Sequence, residues 1–319
     1  MIPREAVQIV EVGPRDGLQN LKEYVETEKK VSLIRRLGES GLREIEVGSF
    51  VHPKAIPQFR DISDVIRGAL DPGGVKLTAL VPNLKGASDA LESGIRTLIF
   101  VISVSRSHNL NNVRLTPDES FEELKKIKRI DSADSWMEIQ LDLATTFGCP
   151  FEIKVKEEDV LCFVERAGAI GIRRITLCDT VGFANPRQVE QITHKCMEKF
   201  PEVTFGVHFH NTRGLGLANA LAAYETGIRF FDSSVGGLGG CPFAPGASGN
   251  VATEDIVFMF NQMGVVTGVD IQCLLRASQY LKGILPQVAL TSALFNAGLP
   301  GPAGMSDRNS GLVSDPLMV

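Results

Sequence analysis

Val203-Thr204-Phe205-Gly206-Val207-His208-Phe209-His210-Asn211 reads as a β-strand, apolar and β-branched, running into a polar C-terminal end. Side chains alternate faces along a strand, so Val207 and Phe209 point one way and His208 and His210 the other. Two imidazoles side by side at the end of a strand make half of a metal site. The alternative for an isolated His-x-His is a pair of histidines, each hydrogen-bonded to backbone or to a carboxylate. What surrounds the strand separates the two readings.

Working outward, the same pattern recurs. Further strands are expected at 7–13, 44–50, 75–81, 98–103, 137–143, 174–178 and 230–235, with Pro14 cutting off the first. Helix-like segments lie between them, at 27–39 and near 60–70, 86–93, 117–130, 156–169, 186–199 and 213–226. The first of these carries an apolar stripe of Val31, Leu33, Ile34 and Leu37, with Thr27 as its expected cap. Near-continuous apolar strands belong to a parallel sheet covered on both faces. Eight such βα units over roughly 250 residues argue for a (β/α)8 TIM barrel. A doubly wound open sheet is the second choice, weakened because no G-x-G-x-x-G follows the first strand and no P-loop occurs. Segments 254–264 and 270–285 read as extra C-terminal helices closing the barrel. Residues 1–285 are therefore expected to form one barrel domain. Residues 286–319, rich in Gly, Pro, Ser and Asp from Gly298 onward, are expected to be a partly disordered tail.

Composition bounds the function. The chain has 319 residues, 44% of them apolar, enough for a large core. A net charge of −5 argues against a nucleic-acid partner, which calls for a basic face. The six cysteines form no CxxC pair, which fits reduced thiols in a cytoplasmic protein. No apolar run approaches the ~20 residues of a membrane span, and a first strand beginning at Val7 leaves no room for a leader peptide in the chain as it stands.

A barrel makes a specific demand: catalytic residues belong at the C-terminal ends of its strands. Arg15 and Asp16 follow the first strand, Glu46 and Ser49 end the second, and Asp142 lies in the fifth. Asp179 and Thr180 end the sixth, and His208 and His210 end the seventh. Any one of these could be a structural ion pair, but so many converging on one rim is hard to explain by structure alone. After the eighth strand comes a glycine-rich stretch, 236–250, carrying Cys241, whose glycines allow unusual backbone angles and close approach to a ligand. Asn250 offers a neutral oxygen ligand just before a capped helix expected near Ala252-Thr253-Glu254.

Two motifs are highly specific: Gly13-Pro14-Arg15-Asp16-Gly17-Leu18-Gln19-Asn20, and GLGGCPFAPGASGNVATED over 237–255. With the His208–His210 pair, they make the chain resemble the 3-hydroxy-3-methylglutaryl-CoA lyases among the DRE-TIM metallolyases, over most of 7–285. The resemblance implies a divalent metal held by Asp16, His208, His210 and Asn250. Mixed imidazole and oxygen ligands suit Mg2+ or Mn2+, with Zn2+ and Co2+ also compatible. It implies retro-Claisen cleavage of a 3-hydroxyacyl-CoA. Arg15 would stabilise the developing enolate, Glu46 would hold Arg15, and Cys241 would deliver the proton that makes acetyl-CoA. His208 or Asp179 would assist as base, and Lys22 and Asn20 would reach the coenzyme A. A homodimer is the family expectation.

The chain also departs from the family pattern. Asp142 stands where a tyrosine is usual, Asn211 and Arg213 replace Asp and Tyr after the second histidine, and the 103–112 loop differs. These changes bear on the acyl group. A related substrate such as citramalyl-CoA is therefore a rival to 3-hydroxy-3-methylglutaryl-CoA. An aldolase for 4-hydroxy-2-oxo acids is a further rival, opposed by the Cys241 loop. A condensing synthase would be expected to carry more C-terminal sequence. A non-enzymatic binding module would turn over no acyl-CoA.

Overall fold

The computed structural model describes residues 6–70, 74–131, 137–239 and 249–301. Strand and helix alternate from the start: β1 (Gln8–Glu11), α1 (Thr27–Glu39), β2 (Glu44–Ser49), α2 (Ile62–Ala69), β3 (Lys76–Leu80) and α3 (Leu84–Glu92). Then come β4 (Thr97–Ser103), α4 (Arg106–Val113), α5 (Pro117–Asp131), β5 (Glu138–Ala144), α6 (Glu157–Ala169) and β6 (Arg174–Asp179). The series ends with α7 (Pro186–Lys199), β7 (Thr204–Phe209), α8 (Gly216–Thr226), β8 (Phe230–Ser233), α9 (Thr253–Gln262), α10 (Ile271–Ile284) and α11 (Ala293–Ala297).

The eight strands close in sequence order into one barrel, every pair parallel. This is the TIM barrel that the apolar strands imply, and the open-sheet alternative is excluded by the β1–β8 pairing, Gln8 opposite Phe230 through Glu11 opposite Ser233. All six residues of β2 and of β6 are buried, as strands walled by side chains inside and helices outside must be. The helices dock through the stripes seen in the sequence. In α1 these are Leu33, Ile34 and Leu37, against α2 and α10. Each such side chain contributes about 1.5–3 kcal/mol of burial.

Several local readings change. Thr27 does not cap α1: it is the first helical residue, the cap position is Glu26, and the Thr27 hydroxyl donates to Asp61 at 2.7 Å. The α9 start has no side-chain cap either, because Thr253 turns inward to donate to Glu11 at 2.7 Å. The 103–112 segment is largely helical, as α4. Its sequence has no apolar stripe, but Ser105 caps it and buried Asn109 ties it to Ser103 N, Leu115 O and Ser120 Oγ. Within the expected tail, α11 is ordered through Asp255, which accepts from Ser292 Oγ and from the amides of Ala293 and Leu294. Residues 302–319 lie outside the described residues.

Candidate metal centre at the barrel mouth

The first half of the site is a tight turn, Gly13–Gly17, of π-helical form. The amides of Arg15, Asp16 and Gly17 all point at Val12 O, which winds the chain sharply at the end of β1. Arg15 and Asp16 thereby project across the mouth. The Arg15 guanidinium donates to Asp16 Oδ1 at 2.6 Å and pairs through Nε with Glu46 Oε2 at 2.8 Å. Arg15 and Glu46 are both buried.

The second half comes from β7 and the segment after the glycine-rich stretch. His208 and His210 share a face with ring centroids 5.3 Å apart, as the alternation of the strand requires. Residues 249–253 thread between the ends of β7 and β8. Asn211 N donates to Gly249 O, Val251 N to Phe209 O, and Ser234 N to Val251 O. This places Asn250 opposite His210. The Asn250 amide donates to Asp16 Oδ2 at 2.6 Å and to Leu238 O at 3.2 Å. Gly239 permits the approach: a Cβ there would meet Asn250 Nδ2 at 2.7 Å.

One ligand atom each from Asp16, His208 and His210 lies within 4.8 Å of the others. Among the described residues, Asn250 Oδ1 and His210 Nδ1 are buried here without a hydrogen-bond partner, as is Glu46 Oε1 nearby. Buried acceptors are normally satisfied, so two unpartnered lone pairs beside a carboxylate fit a cation. His208 Nδ1 lies 3.3 Å from Asp232 Oδ2, the carboxylate–imidazole arrangement that orients metal-binding histidines.

The electrostatics agree. Burial pushes the Asp16 carboxyl up, but Arg15, the two imidazoles and Asn250 outweigh it and hold it at about 2. Burial and neighbouring His208 lower His210 to about 4, leaving its lone pair available. Burial also depresses His208, but contact with Asp232 more than offsets it and raises that ring. Asp142 is raised by burial and by Asp232, and Glu46 is raised by burial against the pull of Arg15. Asp16, Glu46 and Asp142 thus crowd around one guanidinium, with Asp232 beside His208, an acidic setting suited to a cation.

Other residues named from the sequence fall differently. Asp179 is buried at the end of β6 and accepts from Phe183 N at 2.8 Å and Ala184 N at 3.0 Å, so both oxygens organise the following loop. Burial raises it to about 6 against those bonds. Lys22 and Asn20 are exposed just beyond the 13–17 turn. Cys241 lies outside the described residues. Asn211 accepts from Gly216 N, and Arg213 donates to Val181 O and Gly182 O while stacking on Phe183. Both support the β6–β7 rim. Asp142, by contrast, stands opposite Thr176 in the barrel wall and interacts with Arg15 and His208. No helix among the described residues is long and apolar enough to cross a membrane.

Sequence reasoning did not single out Asp232. Its signal was available, since a lone carboxylate inside the apolar run Phe230–Val235 requires a buried partner.

A closed parallel barrel whose C-terminal mouth gathers a carboxylate, two imidazoles and an amide oxygen defines a TIM-barrel enzyme with a potential divalent-metal centre. The HMGL-like family model matches residues 6–281, and the chain belongs to that family. It is 45% identical over 276 residues to a hydroxymethylglutaryl-CoA lyase of Bacillus subtilis, covering 86% of this chain and 92% of that one. It is 41% identical over 291 residues to the (R)-citramalyl-CoA lyase of Chloroflexus aurantiacus, covering 88% and 92%. Among solved structures, an HMG-CoA lyase from Acinetobacter baumannii in complex with coenzyme A and 3-methylmalate superposes with a TM-score of 0.88. That pair is 45% identical, covering 93% of this chain and 97% of that one.

Proposed function

We propose that the protein is a divalent-metal-dependent carbon–carbon lyase that cleaves 3-hydroxy-3-methylglutaryl-CoA to acetyl-CoA and acetoacetate. The observation that carries this is the convergence of Asp16, His208 and His210, with Asn250 bound to Asp16, directly beside the Arg15–Glu46 pair. Asp16, His208, His210 and Asn250 would hold Mg2+ or Mn2+, which supplies Lewis acidity toward the substrate oxygens when bound.

In the proposed cleavage the substrate hydroxyl loses its proton, its oxygen becomes the ketone of acetoacetate, and the adjacent C–C bond breaks. The electron pair of that bond moves into the thioester as an enolate, which takes up a proton to become acetyl-CoA. Arg15 has N–H donors beyond those engaged by Asp16 and Glu46, and its role in this reading is to stabilise the developing enolate oxygen. Glu46 holds the guanidinium in place for that work. Cys241 is proposed as the proton donor to the enolate carbon. His208 serves as a ligand oriented by Asp232. Asp179 is assigned to organising the β6 loop rather than to proton transfer, because both its oxygens accept backbone amides. Lys22 and Asn20, exposed at the same mouth, are assigned to coenzyme A. A cytoplasmic homodimer completes the reading.

Citramalyl-CoA is a second reading of the acyl group, supported by the citramalyl-CoA lyase relative and by Asp142 beside Arg15. Purified protein with Mn2+ and a panel containing both thioesters, followed by acetyl-CoA release, tests the two together. Acetoacetate from the first with a larger kcat/KM supports the main reading. Pyruvate from the second with the larger kcat/KM moves the assignment to citramalyl-CoA, and no cleavage of either removes the lyase reading.

A further inference from the structure

Beside the β7 histidines, three stretches far apart in sequence set Asp16 against Asn250: the 13–17 turn, the turn after β8, and the segment 249–253. One carboxylate touches all three. Glu11 is the last residue of β1 and faces outward from the barrel, where it is completely buried against the start of α9. Its Oε1 accepts from Gly13 N at 2.7 Å and from Val235 N at 2.9 Å, and its Oε2 accepts from Thr253 Oγ1 at 2.7 Å.

Gly13 opens the turn that carries Arg15 and Asp16. Val235 opens the turn that leads to Leu238, whose carbonyl accepts from Asn250. Thr253 lies three residues beyond Asn250 and also meets Ser233 Oγ at 2.9 Å. The local sequence is shaped around this carboxylate. A Cβ at Gly13 would lie 2.6 Å from Glu11 Oε1 and 2.9 Å from Val235 Cγ1, and one at Gly17 would lie 3.1 Å from Leu238 and from Ser234 Oγ. Both glycines let the two turns close on each other, and Glu11 bonds across the join. A buried carboxylate accepting from three donors is costly to replace, since each donor would be left unsatisfied.

We propose that Glu11 is a positioning residue of the metal centre, the joint that sets Asp16 against Asn250 by holding the β1 turn, the β8 turn and the start of α9 in one arrangement. This rests on the reading of Asp16, His208, His210 and Asn250 as cation ligands. Glu11 touches neither substrate nor cation. It acts through the backbone of three segments, so its loss lowers cation affinity beyond what lost stability explains.

The test compares Mn2+ binding, by electron paramagnetic resonance titration, in the natural chain, Glu11→Ala, Glu11→Gln and Glu44→Ala. Glu44 is equally buried but sits at the opposite end of the barrel, so its variant controls for lost stability. Glu11→Ala is expected to raise the Mn2+ Kd at least tenfold. Glu11→Gln, whose amide oxygen still accepts from Gly13 and Val235, is expected to raise it about threefold. Glu44→Ala is expected to leave it unchanged despite a lower Tm. If Glu11→Ala does not fold, Glu11→Gln decides on its own threshold. An unchanged Kd in the Glu11 variants, or an equal rise in Glu44→Ala, overturns the proposal. If the natural chain binds no Mn2+, the cation reading fails and amide hydrogen exchange judges the joint. Faster exchange in both 13–17 and 235–238 on Glu11→Gln upholds it, and any other pattern overturns it.

Discussion

The barrel encloses two charged clusters, one at each end, and they are built on opposite terms. At the N-terminal end Glu44 is fully committed: its oxygens accept from Gln8 at 2.8 Å, Gln140 at 3.1 Å and Arg174 at 2.8 Å, with Lys76 3.8 Å away. Arg174 also stacks over Phe230 at 4.3 Å. At the C-terminal mouth, Arg15 and Glu46 pair just as closely, yet Asn250 Oδ1, His210 Nδ1 and Glu46 Oε1 are buried with no hydrogen-bond partner among the described residues. The difference separates a cluster that plugs a barrel, where Arg174 Nε lacks a partner but is a donor rather than an acceptor, from one whose open acceptors fit a cation. Both involve buried charge, and both would look alike in a list of polar residues inside strands. What distinguishes them is whether each buried acceptor already has its donor.

The contrast predicts effects of opposite kinds. The largest is expected at the mouth. His210→Ala should abolish stoichiometric Mn2+ binding and lower kcat by roughly a thousand-fold, the several kcal/mol that a cation contributes to a developing charge. The metal-free protein should lose no more than about 1–2 kcal/mol of stability. A variant that kept both metal and turnover would remove the distinction between the two ends. The next effect lies at the base. Glu44→Ala strands the Arg174 guanidinium in the barrel floor, and uncompensated buried charge costs about 3–5 kcal/mol. Urea unfolding should register that loss while kcat of the folded enzyme stays within about threefold.

The smallest effect concerns the wall between barrel and α9. Glu254 accepts from Gly236 N and Ser278 Oγ, and burial raises its carboxyl from 4.5 to about 7 despite those bonds. A carboxyl raised on folding favours the folded state fully below pH 4.5, and that contribution is lost as pH rises through about 7. The natural chain should therefore lose more stability between pH 5 and pH 8 than Glu254→Gln does, by at most about 3 kcal/mol, seen as a steeper fall in Tm. Equal slopes would show that Glu254 stays ionised throughout.

How much was legible in the sequence differs between fold and site. All eight strands fall where the near-continuous apolar runs place them, because a strand buried on both faces has almost no freedom in composition. Helix α7 matches its expected 186–199 span, because Asn185 and Pro186 mark its start chemically. Helix α4 was harder to see: its stability comes from buried Asn109, whose partners at 103, 115 and 120 are set by tertiary contact. Thr27 and Thr253 have the chemistry of caps but donate to Asp61 and Glu11, since long-range acceptors there outcompete the local backbone. Of the departures from the family pattern, Arg213 and Asn211 turn out to support the rim, and Asp142 alone of those three interacts with Arg15 and His208.

Local patterning was enough to show that the chain forms a parallel barrel and that His208 and His210 share a face, because alternation along a strand is a local property of the backbone. It also placed Asp16 at a strand end and Asn250 just before a helix start. That Asn250 lies against Asp16 is a product of the folded arrangement, since 234 positions separate them and the meeting depends on 249–253 threading between β7 and β8. The same holds for Glu11, which reads as one polar residue in an apolar strand until the turns after β1 and β8 close on it. Hydrogen-bond donors from distant segments carry no mark in local composition. They become visible only when closure of the barrel brings the first strand beside the last.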